Sequence, residues 1–174
     1  MEAKHQVAEL IFGRWKSQIL HAGVTLGVFE HVSQSPSSAA ACASALELDS
    51  ALTYRLMRAL ACIGLLNESE GQNFSITDAG RLLCADHPDS MRGVALLEEG
   101  SVHYAFWKHL PQMIREGKQD GFKREFGCGA FEYTAKDESY RAIFNEAMSS
   151  FSKTHTEWAL DALSHADLSK VTHV

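Results

Sequence analysis

The sequence predicts a mainly α fold: a winged-helix-like domain with a small β-hairpin, an N-terminal helical arm and a C-terminal helical extension. Three observations carry this. Residues 137–163 hold no Pro or Gly, so nothing breaks a helix there. Within them Tyr140, Phe144, Met148, Phe151, His155 and Trp158 fall at steps of three and four, which is one helical face. Between Ser38 and Leu83 the patterns run helix, turn, helix, hairpin, helix, the order of a winged helix. Residues 2–20 carry a separate apolar stripe of Val7, Leu10, Ile11, Trp15 and Ile19.

Taken in order, the helix over 2–20 is weakened only modestly by Gly13. Its stripe must be buried, in its own domain or across a partner subunit. Residues 19–32 continue as helix with Ala22, Leu26, Phe29 and Val32 inward, and Gly23 and Gly27, four apart, admit a neighbouring backbone. Residues 33–38, with Pro36, read as a loop. A short Ala-rich helix over 38–46 is followed by a turn at 47–50, where Asp49 or Ser50 caps the next helix. That helix carries Leu52, Leu56, Ala59, Leu60 and Ile63 and stops at Gly64. Residues 65–68 read as a strand, 69–73 as a turn and 74–76 as the return strand, and Thr77 caps the helix carrying Leu82 and Leu83.

Pro88 starts a helix that runs to about Glu99; Gly100 interrupts it and Ser101 restarts it. Val102, Ala105, Phe106, Leu110, Met113 and Ile114 then keep helical spacing, while His103, Tyr104 and Trp107 occupy other faces, as a second packing surface or a ligand site. Pro111 predicts a kink or break near His109 and Leu110. Residues 117–129 read as a flexible connection containing Phe122 and Phe126, and 130–133 as a short helix. Asp137 caps the long helix, which at 1.5 Å per residue runs roughly 40 Å. Its mixed face of rings, thioether, Ser152 and His155 suits either a core helix or the wall of an apolar pocket for a flat ligand. Val171-Thr172-His173-Val174 reads as the start of a strand.

A chain of 174 residues buries a sizeable core as one domain, or one domain plus an extension. Its net charge of −6 disfavours a nucleic-acid surface or an anionic membrane as partner. With no apolar run of spanning length, and Glu2, Lys4 and His5 at a start unlike a signal peptide, the expected location is cytoplasmic. Cys42, Cys62, Cys84 and Cys128 lack the spacing of a zinc site. The first three read as buried thiols and Cys128 as a small residue in a turn. The winged-helix order raises a rival function, a transcriptional regulator sensing an aromatic ligand. Its second helix, however, offers a groove only Thr53, Tyr54, Arg55 and Arg58, and the hairpin tip has Glu70 and no cation. Ion pairs with Glu47 or Asp49 account for the arginines as readily, and the shape serves equally as a scaffold.

Phe144-Asn145-Glu146-Ala147-Met148, with Ser152 four residues on, resembles the substrate helix of class I S-adenosylmethionine-dependent O-methyltransferases of the caffeate and hydroxyindole type. Leu26-Gly27-Val28-Phe29, Arg55-Leu56-Met57-Arg58-Ala59-Leu60, Thr77-Asp78-Ala79-Gly80-Arg81, Trp107 and Phe131-Glu132-Tyr133 follow the same family order. The resemblance runs from about Val7 to Val174 and covers the family's N-terminal region. It implies residues 1–100 as dimerisation arm plus winged-helix-like domain, 101–167 as substrate-binding extension, and 168–174 as the first strand of a Rossmann-like domain. It implies a homodimer through the N-terminal helices, and transfer of a methyl group from S-adenosylmethionine to a hydroxyl of a small, aromatic acceptor.

By the same resemblance Tyr140, Phe144 and Met148 sandwich the acceptor, Ala130 and Thr134 line its pocket, and Ser152 contacts the donor's carboxylate. Thr134 stands where caffeate-type enzymes carry histidine, which argues against a phenylpropanoid acceptor. Trp107 and Phe131 belong to matched motifs, and His103, one helical turn before Trp107, is placed to face the acceptor. His155 is read as structural, and His5, His21, His31, His87 and His109 as surface residues. No catalytic base and no metal ligand is assigned. The family's catalytic histidine and Gly-rich donor loop would lie beyond Val174, and no G-x-G-x-G occurs in the sequence. The 174 residues are therefore expected to transfer no methyl group by themselves.

Overall fold

A computed structural model of the protein describes residues 2–164. The N-terminal stripe lies on α1 (Glu2–Thr25). Gly27 then takes a left-handed φ of 74° and the chain turns into α2 (Val28–Gln34). β1 (Ser37–Ser38) leads to α3 (Ala39–Ala45), whose first turn is capped by the Ser38 hydroxyl accepting from the amide of Ala41. Asp49 caps α4 (Ser50–Cys62) by accepting from Leu52 N at 2.8 Å, and Gly64, at φ 82°, turns the chain out of it. β2 (Leu66–Ser69) and β3 (Asn73–Ile76) form the hairpin around a 3-10 turn. Thr77 caps α5 (Asp78–Arg81), and its hydroxyl also donates toward the carbonyls of Gly64 and Leu65, both at 2.9 Å.

The remaining elements are helical: α6 (Arg92–Glu98), α7 (Ser101–Phe106), α8 (Leu110–Glu116), α9 (Gly121–Phe126), α10 (Ala130–Lys136) and α11 (Glu138–Ser164). A 3-10 turn at Trp107–His109 separates α7 from α8, where Pro111 predicted a break. Asp137 caps α11 by accepting from Tyr140 N at 2.9 Å. The fold is mainly helical with one small sheet, as expected. No helix among the described residues is long and apolar enough to cross a membrane.

Two hydrophobic clusters organise these elements. The first gathers Val24, Val28, Phe29, Val32, Cys42, Met57, Leu60, Leu66 and Phe74 from α1–α4 and the sheet. The second centres on Leu97, Tyr140 and Ala147, joining α6 to α11. There the two backbones nearly touch: a Cβ added to Gly93 would sit 2.7 Å from Ala147 N.

The structure departs from the expectations in several places. The sheet has three strands, because Ser37 and Ser38, expected in a loop, pair antiparallel with Phe74 and Asn73; the order is β1-β3-β2. The helix expected over 19–32 breaks at Gly27, and Leu26 lies exposed beside that turn while Val28 points inward. Gly23 does admit a close neighbour, but it is the side chains of Phe29 and Leu60 rather than backbone. On α4 the buried residues are Thr53, Met57 and Leu60, and Leu52 is exposed: the helix turns its Thr-Met-Leu edge inward. The helix expected from Pro88 starts at Arg92, after turns bonded through His87 and Leu82. Residues 121–126 are helical rather than a flexible connection. Cys42 and Cys84 are buried, and burial pushes both thiols up, whereas Cys62 is exposed at the end of α4. The strand expected at 171–174 lies outside the described residues.

Candidate functional site

The second cluster continues into a connected set of rings. Phe106 meets His103 at 5.4 Å, Trp107 at 6.3 Å and Phe122 at 5.7 Å between centroids. Phe122 meets Phe126, Tyr133 and Tyr140 at 4.8, 5.6 and 6.4 Å. Tyr140 meets Tyr133 edge-on at 5.2 Å and Phe144 at 6.1 Å, and Phe144 meets Phe131 edge-on at 6.3 Å. The spacings are those of favourable aromatic contacts. Helical spacing produces the α11 part, since Tyr140 and Phe144 are one turn apart. The other rings arrive from α7, α9 and α10.

The polar side of this set is a short relay. The Tyr140 hydroxyl and His103 Nε2 share a hydrogen bond of 2.9 Å, and His103 Nδ1 lies 3.5 Å from a Glu98 carboxylate oxygen. Tyr140 is only 4% exposed; burial pushes its phenol up, and the nearby Glu98 carboxylate adds to this. Burial also pushes up the Tyr133 phenol, with Asp137 beside it reinforcing the effect. Asp137 itself is held low, first by the Tyr140 amide and then by the Ser139 hydroxyl. At neutral pH both phenols are therefore uncharged and available for hydrogen bonding.

Two cavities flank the rings. One, of about 610 Å³, is mostly apolar and opens between Phe106, Trp107, Met113, Ile114 and Phe122. The other, of about 360 Å³, lies against Tyr133, Tyr140, Val102 and Ile143, with Thr25 and Ser101 on its polar side. Both fall within or near the sizes of small-molecule sites.

The residues singled out in the sequence are distributed as follows. Tyr140, Phe144, Phe131 and His103 join one connected ring set, although Phe131 is 82% exposed. Met148 packs one turn further along α11 on the second cluster. Trp107 stacks on the far side of Phe106 and is exposed at the rim of the larger cavity. The Thr134 hydroxyl donates to the Ala130 carbonyl at 2.8 Å, so both belong to one turn of α10. Ser152 is exposed on α11, eight residues beyond Phe144, and its carbonyl accepts from the Thr156 hydroxyl. His155 stacks with Phe151 at 6.2 Å on the same helix. Phe106, Phe122, Tyr133 and Glu98 belong to the assembly but were not singled out as site residues. Phe122 and Phe126 were conspicuous as aromatics in a Gly-rich stretch, where such rings plug a core edge or line a pocket, and the family resemblance favours the pocket.

The rival regulator gains nothing from this geometry. Arg58 and the Tyr54 hydroxyl both engage Glu68 of β2, at 3.7 and 3.1 Å, so the strand rather than Glu47 or Asp49 takes up these two groups of the second helix.

The family model of the O-methyltransferase dimerisation domain matches residues 8–86, and that of the O-methyltransferase domain matches residues 107–174. Phenazine O-methyltransferase PhzM of Lysobacter antibioticus is 31% identical over 88% of this chain and 45% of its own length. The crystal structure of LaPhzM superposes with a TM-score of 0.85 at 30% identity, over 91% of this chain and 47% of that one. Human N-acetylserotonin methyltransferase in complex with SAM superposes with a TM-score of 0.79 at 24% identity, over 97% and 50%, a likeness of fold. The chain thus spans about half the length of the relatives it matches. With consecutive family models matched over residues 8–86 and 107–174, the chain belongs to the class I S-adenosylmethionine-dependent O-methyltransferase family.

Proposed function

We propose that these residues form the dimerisation and acceptor-binding part of an O-methyltransferase that moves a methyl group from S-adenosylmethionine to a hydroxyl of a small aromatic acceptor. The observation that carries this is the ring set of α10 and α11, Phe131–Phe144–Tyr140, with the His103–Tyr140 hydrogen bond at its end. Ring faces stack a flat acceptor and the thioether of Met148 fills the remaining shape, while the hydrogen-bonded Tyr140–His103 pair orients its polar edge. S-adenosylmethionine supplies an electrophilic methyl when bound; of the present residues, Ser152 is the one offered to it, at the donor's carboxylate. One such hydrogen bond is worth on the order of 1 kcal/mol, against roughly 8 kcal/mol for micromolar affinity. The 174 residues alone therefore hold no donor at micromolar concentration and transfer no methyl group.

In this reading residues 1–100 serve as arm and winged-helix-like scaffold, and 101–167 as the acceptor-binding extension. The arm pairs with a second copy. The homologous match to a dimerisation domain supports this, and so do the exposed Leu10, Ile11 and Trp15 on α1.

The test is transfer of labelled methyl from S-adenosylmethionine to a panel of hydroxylated aromatics, by the protein expressed from its whole reading frame. Phe144→Ala should raise KM several-fold for an accepted aromatic. Absence of transfer to every hydroxylated aromatic overturns the reading, as does micromolar donor binding by the 174 residues in calorimetry.

A further inference from the structure

Phe122 stands between the larger cavity and the rings of Tyr133 and Tyr140. Its ring lines the 610 Å³ space on one side and meets Phe106, Tyr133 and Tyr140 on the other. A flat molecule in that cavity reaches the Tyr140 face only if Phe122 leaves.

The helix that carries Phe122 is short and lies between two glycines of left-handed conformation. α9 has six residues and is bounded by Gly117 and Gly127, which sit at φ 64° and 72°. Both glycines occupy the left-handed region, and nothing lies within 4 Å of a Cβ added to either. They are therefore glycine for backbone freedom and not for close packing. A six-residue helix is too short to persist without tertiary contacts.

Polar contacts at the two edges of α9 hold it closed. Glu125 takes Lys108 Nζ at 2.7 Å and His109 Nε2 at 2.8 Å, both from the 3-10 turn after α7. Arg124 pairs with Glu116 at the end of α8, and its second pair, with Asp120, lies within the segment itself. Apart from these pairs, α9 is seated by Gly121 against Met113 and by the two phenylalanine rings. Glu125 and Arg124 are themselves mostly buried, so these pairs and the two rings set how firmly α9 is seated.

We propose that α9 is a gate hinged at Gly117 and Gly127, with Phe122 as its plug and Glu125 as its latch, so that an aromatic acceptor in the larger cavity reaches Tyr133 and Tyr140 only when the helix swings out. This rests on the acceptor-binding reading above. In the closed form Phe122 occupies the place of an acceptor ring. The affinity for an acceptor is then reduced by the fraction of molecules that are open.

Hydrogen exchange with mass spectrometry on the full chain tests the motion, and 1-naphthol in calorimetry tests access. Glu125→Gln keeps the shape, removes the ion pair with Lys108 and takes the carboxylate away from His109. It should speed amide exchange over 121–126 by about tenfold, leaving peptides across 140–148 unchanged. Glu125→Gln and Phe122→Ala should each bind 1-naphthol several-fold more tightly than the parent. Unchanged exchange over 121–126 in Glu125→Gln overturns the gate, and so does weaker naphthol binding in both variants. Faster exchange with no naphthol binding by any variant keeps the gate and overturns the acceptor reading beneath it.

Discussion

Arg92 Nη1 lies 2.7 and 2.8 Å from the two carboxylate oxygens of Glu146, while Arg92 Nε faces a Glu30 oxygen at 3.3 Å. One guanidinium thus ties α11 to α6 and both to α2, across the seam between the two hydrophobic clusters. These groups are about one-third exposed, so water screens much of the attraction. Arg92→Ala should cost about 1 kcal/mol and lower the melting temperature by roughly 2–4 °C. Arg92→Lys should recover only part of this, since one ammonium cannot span both carboxylates with the guanidinium's geometry. Thermal unfolding followed by circular dichroism measures both.

Gly93 is the tightest point of the same seam. An added Cβ would fall 2.7 Å from Ala147 N and 2.7 Å from Glu146 Cγ. Backbone cannot yield as a side-chain tip can, so Gly93→Ala must push α6 away from α11. A destabilisation of about 1–3 kcal/mol is expected in urea unfolding. Glycine to alanine inside an exposed helix would have the opposite sign.

Tyr133 and Tyr140 should ionise above the ordinary phenol value of 10.0, since burial disfavours the phenolate of each. Their folded pKa is raised, so the stability linked to it is fully present below the unfolded value. It is lost as pH rises through the folded value. Ultraviolet titration should therefore show a high-pH step that shrinks in Tyr133→Phe and in Tyr140→Phe. A titration in which all four tyrosines ionise at or below 10 would contradict the burial.

On α1, Leu10 is 77% and Trp15 59% exposed, an apolar surface unpartnered within one copy. Replacing Leu10 and Ile11 by Asp should convert the proposed dimer to monomer in light scattering at micromolar concentration. A parent chain that is already monomeric there contradicts the pairing.

Local signals were legible because they involve groups three or four residues apart. Asp49, Thr77 and Asp137 each accept from an amide three residues on, and Gly64 supplies the positive φ at a helix end. The ring periodicity of α11 and the break before Pro111 were equally readable. The family resemblance, carried by ordered motifs, agreed with both family models. What lay beyond reach was decided at long range. Ser37 becomes a strand residue only because Phe74 pairs with it, and α4 turns Met57 inward because that edge meets Phe29 and Phe74 in the core. Arg92 and Glu146 are 54 residues apart, and His103 and Tyr140 are 37 apart. Residues 121–126 are helical because Phe122 and Phe126 find Phe106 and Tyr133, a gain that a six-residue helix lacks in isolation. The sequence by itself determined the elements whose hydrogen bonds and periodicity close within a few residues. Which faces meet, and therefore which rings and charges share a site, the tertiary structure decided, because packing energy depends on partners that local sequence does not contain.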